Sequence, residues 1–123
     1  MRVLVTGAAG FIGMHTARAL LARGARVTGV DNLDPYYDVA LKEARLAQLA
    51  ALPGFAFERI DLADPEAAAR LFRERAFTHV VHLAAQPGVR YSLTHPLAYL
   101  RNNIDAFGHG LEGCRHAQPA HLV

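Results

Sequence analysis

A single cysteine, a single lysine and no tryptophan mark this 123-residue chain, and each scarcity removes a class of answers. Cys114 alone cannot form an internal disulfide, and a cysteine-built metal cage goes with it. Thirteen basic residues stand against eleven acidic ones, scattered, with no Lys/Arg block and no aromatic residue interleaved with one. That is not a nucleic-acid footprint, so no nucleic-acid partner is expected. Apolar runs stop well short of the roughly 18 residues of a membrane span, and no secretory leader pattern opens the chain. No membrane association is expected, and the cytoplasm is the expected location. His79 and His82 lie three apart in a strand-like run, which sets them on opposite faces. His109, His116 and His121 contain no helix-spaced i, i+4 pair, so no metal site is expected.

What is present is apolar and periodic. Hydrophobic residues make up 52% of the chain, enough for one globular domain that buries roughly two-thirds of its unfolded surface. Strand-like and helix-like segments alternate. Strands are expected at Arg2 to Thr6, Arg26 to Asp31, Phe55 to Ile60 and Thr78 to Leu83. Helices are expected at Phe11 to Arg23, with Ile12, Ala17, Ala19, Leu20 and Leu21 toward the sheet, and at Asp38 to Leu52, with Leu41, Ala44, Leu49 and Leu52 as the apolar stripe. Asp64-Pro65-Glu66 starts a third helix that runs to about Arg75, with an N-cap acid and proline at N1. Pro96 opens a fourth that reaches roughly Arg115. Gly108, Gly110 and Gly113 weaken it by about 0.5 to 1 kcal/mol each relative to alanine, so a frayed or poorly packed stretch is expected from Ala106 to Gly113. Strands separated by helices predict an α/β fold, a Rossmann-like doubly wound parallel sheet in the order 3-2-1-4. Ala120 to Val123 begins a fifth strand beside the fourth, too short to finish it. The chain is therefore expected to be the amino-terminal part of a longer protein, truncated at the start of that strand.

The first crossover carries the chemistry. Gly7, Gly10 and Gly13 follow a buried strand and open a helix, in the spacing G-x-x-G-x-x-G. Gly7 permits a tight turn, Gly10 removes a side chain where a pyrophosphate approaches, and Gly13 lets the helix settle on the strands. The helix start then offers free N–H groups and the positive end of its dipole to phosphates. Asp31 follows Gly13 by 31 − 13 = 18 positions, near the roughly 20 expected of a ribose-binding acid. A carboxylate there repels the 2′-phosphate of NADP by about 1 to 4 kcal/mol at contact distance, which favours NAD. The residues after it, Asn32 and Leu33, supply no arginine to receive that phosphate. The plainer alternative is a strand-ending acid beside turn glycines.

The segments Thr6-Gly7-Ala8-Ala9-Gly10-Phe11-Ile12-Gly13, Asp31-Asn32-Leu33, Asp61-Leu62, His82-Leu83-Ala84-Ala85-Gln86 and Asn102-Asn103-Ile104 resemble successive motifs of the extended short-chain dehydrogenase/reductases. Within that family the chain is similar to the NAD-dependent epimerase/dehydratase group. Asp31 to Asp38 and Ala84 to Ser92 are most similar to UDP-glucuronate 4-epimerases. The resemblance covers essentially the whole chain. It implies NAD as cofactor, held by Gly7, Gly10, Phe11, Ile12, Gly13, Asp31, Asn32, Leu33, Asp61, Leu62, Leu83, Ala84, Ala85, Gln86 and Asn102. Asp61 would accept from the adenine amino group, although Asp61 and Asp64 together also read as a helix start. Leu83 to Gln86 would run beneath the nicotinamide ribose, although Ala84-Ala85 also suits close sheet packing. Asn103 would help fix site geometry. Arg90, Tyr91 and Ser92 would meet a nucleotide-sugar substrate, with the arginine on a uronate carboxylate; a solvent-facing loop arginine is the alternative. A homodimer is a further possibility.

The chemistry of the resembled family needs Tyr-x-x-x-Lys, four apart on one helical face, so that the ammonium stabilises the phenolate that takes the sugar's proton. No such pair is present. Tyr36, Tyr37, Tyr91 and Tyr99 are followed four residues on by Ala40, Leu41, His95 and Asn103. No catalytic residue is assigned, and the chain is expected to bind cofactor at best without turning over. The expectation is the N-terminal part of an NAD(P)-binding Rossmann domain, spanning 1–123 and lacking the Tyr-Lys region and the substrate domain. A non-catalytic NAD-binding module and a piece of a nucleotide-sugar 4,6-dehydratase are the alternatives.

Overall fold

A computed structural model describes all residues, Met1 to Val123. Five parallel strands form one sheet in the order β3-β2-β1-β4-β5: β1 (Arg2–Thr6), β2 (Arg26–Asp31), β3 (Phe55–Arg59), β4 (His79–His82) and β5 (His121–Leu122). Helices α1 (Phe11–Ala22), α2 (Val39–Ala50) and α3 (Pro65–Glu74) make the crossovers. After β4 the chain makes a 3₁₀ turn at Arg90–Leu93. A single helical rod follows, built of α4 (Pro96–Tyr99), a π-helical turn (Leu100–Asp105) and α5 (Ala106–Ala117).

Period-two alternation in the central strands feeds two separate cores. Val3, Val5 and Val27 pack with Met14, Ala17 and Leu49 beneath α1 and α2. Leu4, Val30 and Val80 pack on the other face with Leu71, Phe72 and Ala106 beneath α3 and α5. β1 is central and pairs with β2 and β4. Its carboxyl end is therefore flanked by theirs, and this sheet edge is where ligands bind in such folds.

Three expectations are corrected by packing. On α1, Ile12 is 65% exposed and Ala19 also faces out; the buried positions are Gly13, Met14 and Ala17. On α2 only the later half of the expected stripe turns inward: Leu49 is buried and Leu52, just past the helix, packs on the same core, whereas Leu41 is 49% exposed, Ala44 faces out and Lys42 is buried instead. The alkyl stem of Lys42 fills a position that a count of apolar residues passes over. The weak helix expected from Ala106 to Gly113 is instead an unbroken α5. There a Cβ on Gly113 would collide with the ring of Phe72, so its bare backbone is what lets α5 lie against α3.

Candidate functional site

The cleft of about 420 Å³ at the carboxyl edge of the sheet begins at the β1–α1 turn. Gly7 adopts φ +69, and a Cβ on Gly13 would overlap its carbonyl oxygen, which is the close helix-to-strand approach the glycine spacing predicts. Gly10 caps α1 with no side-chain bond. The first helical N–H to find a partner is that of Met14, on Gly10 O at 3.0 Å. The N–H groups before it, at Phe11, Ile12 and Gly13, are left for a ligand, as at any bare helix start.

Asp31 ends β2 with its carboxylate buried. Oδ2 accepts from Ala9 N–H at 3.1 Å and Oδ1 from Leu33 N–H at 2.8 Å. Leu33 is thereby held at φ 57, an unfavourable conformation for a branched side chain. Lys42 Nζ lies 3.8 Å from Asp31 Oδ1 and donates to Asp34 O at 3.0 Å. Arg45, one turn on, donates to Ala9 O at 3.2 Å. Neither cation is among the residues that the sequence predicts for the site. Their spacing to Leu49, 42-45-49, was the available signal, hidden because both are charged. Asp31 therefore carries its own counter-cation, which would offset part of the repulsion of a 2′-phosphate expected from the acid alone.

Across the cleft, Asp61 accepts from Ala63 N–H at 2.9 Å and pairs with Arg101 Nη1 at 2.7 Å, so both its oxygens have partners within the chain. His109 reaches from α5 to Leu62 O at 2.7 Å, fixing the same loop. Thr6 organises the end of β4: its hydroxyl oxygen accepts the N–H groups of Leu83 and Ala84, both at 3.0 Å. With both lone pairs occupied, the hydroxyl must donate to His82 Nδ1, 3.0 Å away. Burial pushes the His82 pKa down.

Gln86 is 7% exposed and is gripped twice from the π-helical turn. Its N–H donates to Asn103 Oδ1 at 2.7 Å, and its Oε1 accepts from Asn102 Nδ2 at 2.8 Å. The wider π turn lets two consecutive residues serve one partner, and such turns recur at functional sites. Gln86 Nε2 is buried with no hydrogen-bond partner. An orphaned donor costs roughly 1 to 3 kcal/mol, and a ligand acceptor in the cleft would relieve it. The bare helix start, the uncovered glycine cradle, the buried acid and this orphan donor together fit a dinucleotide.

Of the residues expected at a cofactor, Gly7, Gly10, Phe11, Ile12, Gly13, Asp31, Asn32, Asp61, Leu62, Leu83, Ala84, Ala85, Gln86 and Asn102 line this one cleft. Leu33 does not; it is buried behind Asp31. Arg90, Tyr91 and Ser92 lie on the 3₁₀ turn outside it. Ser92 Oγ donates to Val89 O at 2.6 Å, and Tyr91 stacks on His95 with ring centres 4.1 Å apart.

Comparison with known proteins agrees with this architecture. The chain is 50% identical over 117 residues to UDP-glucuronate 4-epimerase 1 of Arabidopsis thaliana, covering 95% of this chain and 27% of that protein. It superimposes on the UDP-glucuronic acid 4-epimerase of Bacillus cereus, solved with UDP-glucuronic acid and NAD, with a TM-score of 0.89. The identity there is 35%, over 99% of this chain and 38% of that one. DesIV of Streptomyces venezuelae, a dTDP-glucose 4,6-dehydratase solved with NAD, gives a TM-score of 0.85 at 30% identity, over 99% and 38%. The chain thus spans between about a quarter and two-fifths of these relatives. Residues 3–123 match the NAD dependent epimerase/dehydratase family, and the chain belongs to it.

Proposed function

We propose that these residues form the cofactor-binding portion of an NAD-dependent nucleotide-sugar epimerase, acting on UDP-glucuronate at C4. They would be the amino-terminal part of an NAD(P)-binding domain, in a cytoplasmic protein. The observation that carries the reading is the convergence of the bare α1 start, the Asp31 carboxylate and the orphaned Gln86 donor on one cleft. The substrate is suggested by the half-identity to an epimerase named for UDP-glucuronate.

Bound NAD supplies the hydride acceptor for transient oxidation at C4. The chain's own share is to bind and orient. The helix start and glycine turn take the pyrophosphate, Asp31 accepts from a ribose hydroxyl, and Gln86 donates to the nicotinamide-side half. Leu83, Ala84 and Ala85 shape the floor. Arg90, Tyr91 and Ser92 face the substrate side. With no Tyr-x-x-x-Lys in the sequence, these 123 residues alone do not turn over.

The apolar seam Leu97, Leu100, Ile104, Phe107 and Leu111 is exposed and spaced 3-4-3-4, as in helix-to-helix packing. We take its partner to be the same seam of a second copy, giving a two-fold homodimer.

Titration with NAD and NADP tests the cofactor reading: NAD is expected to bind about tenfold tighter, and no binding of either overturns it. Incubating full-length protein with UDP-glucuronate tests the reaction. Formation of the C4 epimer is expected. NAD retention without conversion makes the chain a non-catalytic NAD-binding module, and a 4-keto-6-deoxy product from a nucleotide hexose makes it a dehydratase.

A further inference from the structure

The four tyrosines of the chain, two from the loop after β2 and two from the segment after β4, form one aromatic cluster beside the cleft. Tyr36, on the loop after β2, packs edge-on against Tyr91, on the turn after β4, with ring centres 5.0 Å apart. Tyr37 lies against Tyr36 at 5.0 Å, and Tyr99 against Tyr91 at 6.3 Å. Tyr99 OH donates to Pro87 O at 3.0 Å, tying the rod to the same loop. The Tyr36 hydroxyl sits on the bare face of Gly88, where any Cβ would collide with it, and Gly88 is held at φ +85.

Topology gives this cluster its meaning. β2 and β4 flank β1 on either side, so a contact between the loops that follow them spans the carboxyl end of β1. Tyr36 and Tyr37 also line the cleft wall. Gly7 and Gly10 line the same cleft as Tyr36 and Tyr37, so under the NAD-binding reading a dinucleotide seated on the β1–α1 turn would lie beneath this contact.

We propose that Tyr36, seated on Gly88 and packed on Tyr91, is a clasp that closes over the bound dinucleotide and slows its release. Tyr36 is a positioning residue: it couples the ribose-side loop to the substrate-side turn, and the two loops must part for the cofactor to exchange. The inference rests on the NAD-binding reading. Tyr36 is 38% exposed and belongs to neither core cluster, so its loss does not empty the core.

The test is the rate at which labelled NAD leaves full-length protein when chased with excess unlabelled NAD. Tyr36→Ala and Gly88→Ala are expected to speed release about tenfold, the worth of one or two aromatic contacts. Tyr36→Phe, which keeps the ring, is expected to stay within about twofold of the parent. Circular dichroism and the melting temperature confirm that each variant is folded. Should Gly88→Ala fail to fold, Tyr36→Ala decides the matter. Release unchanged in a folded Tyr36→Ala overturns the clasp while leaving the cofactor reading intact; a parent protein that holds no NAD overturns that reading instead.

Discussion

Under the NAD-binding reading, Lys42 is expected to set how strongly Asp31 discriminates between cofactors. A buried carboxylate with an ammonium 3.8 Å away presents a pair of small net charge, so a 2′-phosphate meets less repulsion than it would from the acid alone. Lys42→Met keeps the stem and removes the charge. It is expected to widen the preference for NAD over NADP by about tenfold, one like-charge contact in partly screened surroundings, measured as the ratio of the two dissociation constants. An unchanged ratio would mean that shape, not charge, excludes the phosphate. On the substrate side, Arg90→Ala in the full-length enzyme is expected to raise KM for an acidic sugar nucleotide about tenfold or more, as loss of a charge-assisted hydrogen bond does. Its effect on a neutral sugar nucleotide should be small. Equal KM values in parent and variant would remove Arg90 from the site.

The glycines of α5 separate two roles that look alike in sequence. Gly108 has no atom within 4 Å of a built Cβ, whereas Gly113 lies under the Phe72 ring. Gly108→Ala is expected to stabilise the protein by about 0.5 to 1 kcal/mol, the helix-propensity gain. Gly113→Ala should gain the same propensity yet lose about 1 to 3 kcal/mol to overpacking. Urea midpoints check both, and a stabilised Gly113→Ala would show that α5 slides off α3 at little cost. The same contrast explains how much was legible beforehand. Strand order and the glycine turn followed from local patterns, because apolar runs and glycine spacing report their own backbone needs. The inward faces of α2 and α5 did not, because Lys42 and Gly113 are placed by partners on other elements, Asp31 and Phe72. Likewise, the Asp61–Arg101 pair joins residues 40 apart, and nothing in either segment alone announces it.

The whole molecule makes two claims about its own assembly and stability. If the 97-100-104-107-111 seam joins two copies, Ile104→Glu should convert a dimer to a monomer in sedimentation equilibrium without lowering the NAD affinity, since Ile104 is 60% exposed and lies outside the cleft. A parent that is monomeric across the concentration range removes the proposal. The second claim concerns pH. His82 sits where β4 leaves the sheet, its ring 5.2 Å from that of Phe107, and its Nδ1 accepts from Thr6, whose other hydrogen-bonding capacity is spent on Leu83 and Ala84. Protonating Nδ1 would set a donor against a donor in a site that burial already makes unfavourable for charge. The folded pKa is therefore below the ordinary histidine value of 6.5, and just below that pH the unfolded chain binds more protons than the folded one. By linkage, stability rises with pH in this window: the contribution is complete above pH 6.5 and is lost as pH falls toward the lowered folded pKa. His82→Asn keeps an acceptor near Nδ1 but cannot titrate. Urea unfolding across this pH window should show a shallower decline on acidification for the variant than for the parent. Parallel profiles would place the acid sensitivity elsewhere, and would mean that the Thr6 hydroxyl turns away from His82 without cost to the strand end that shapes the cleft floor.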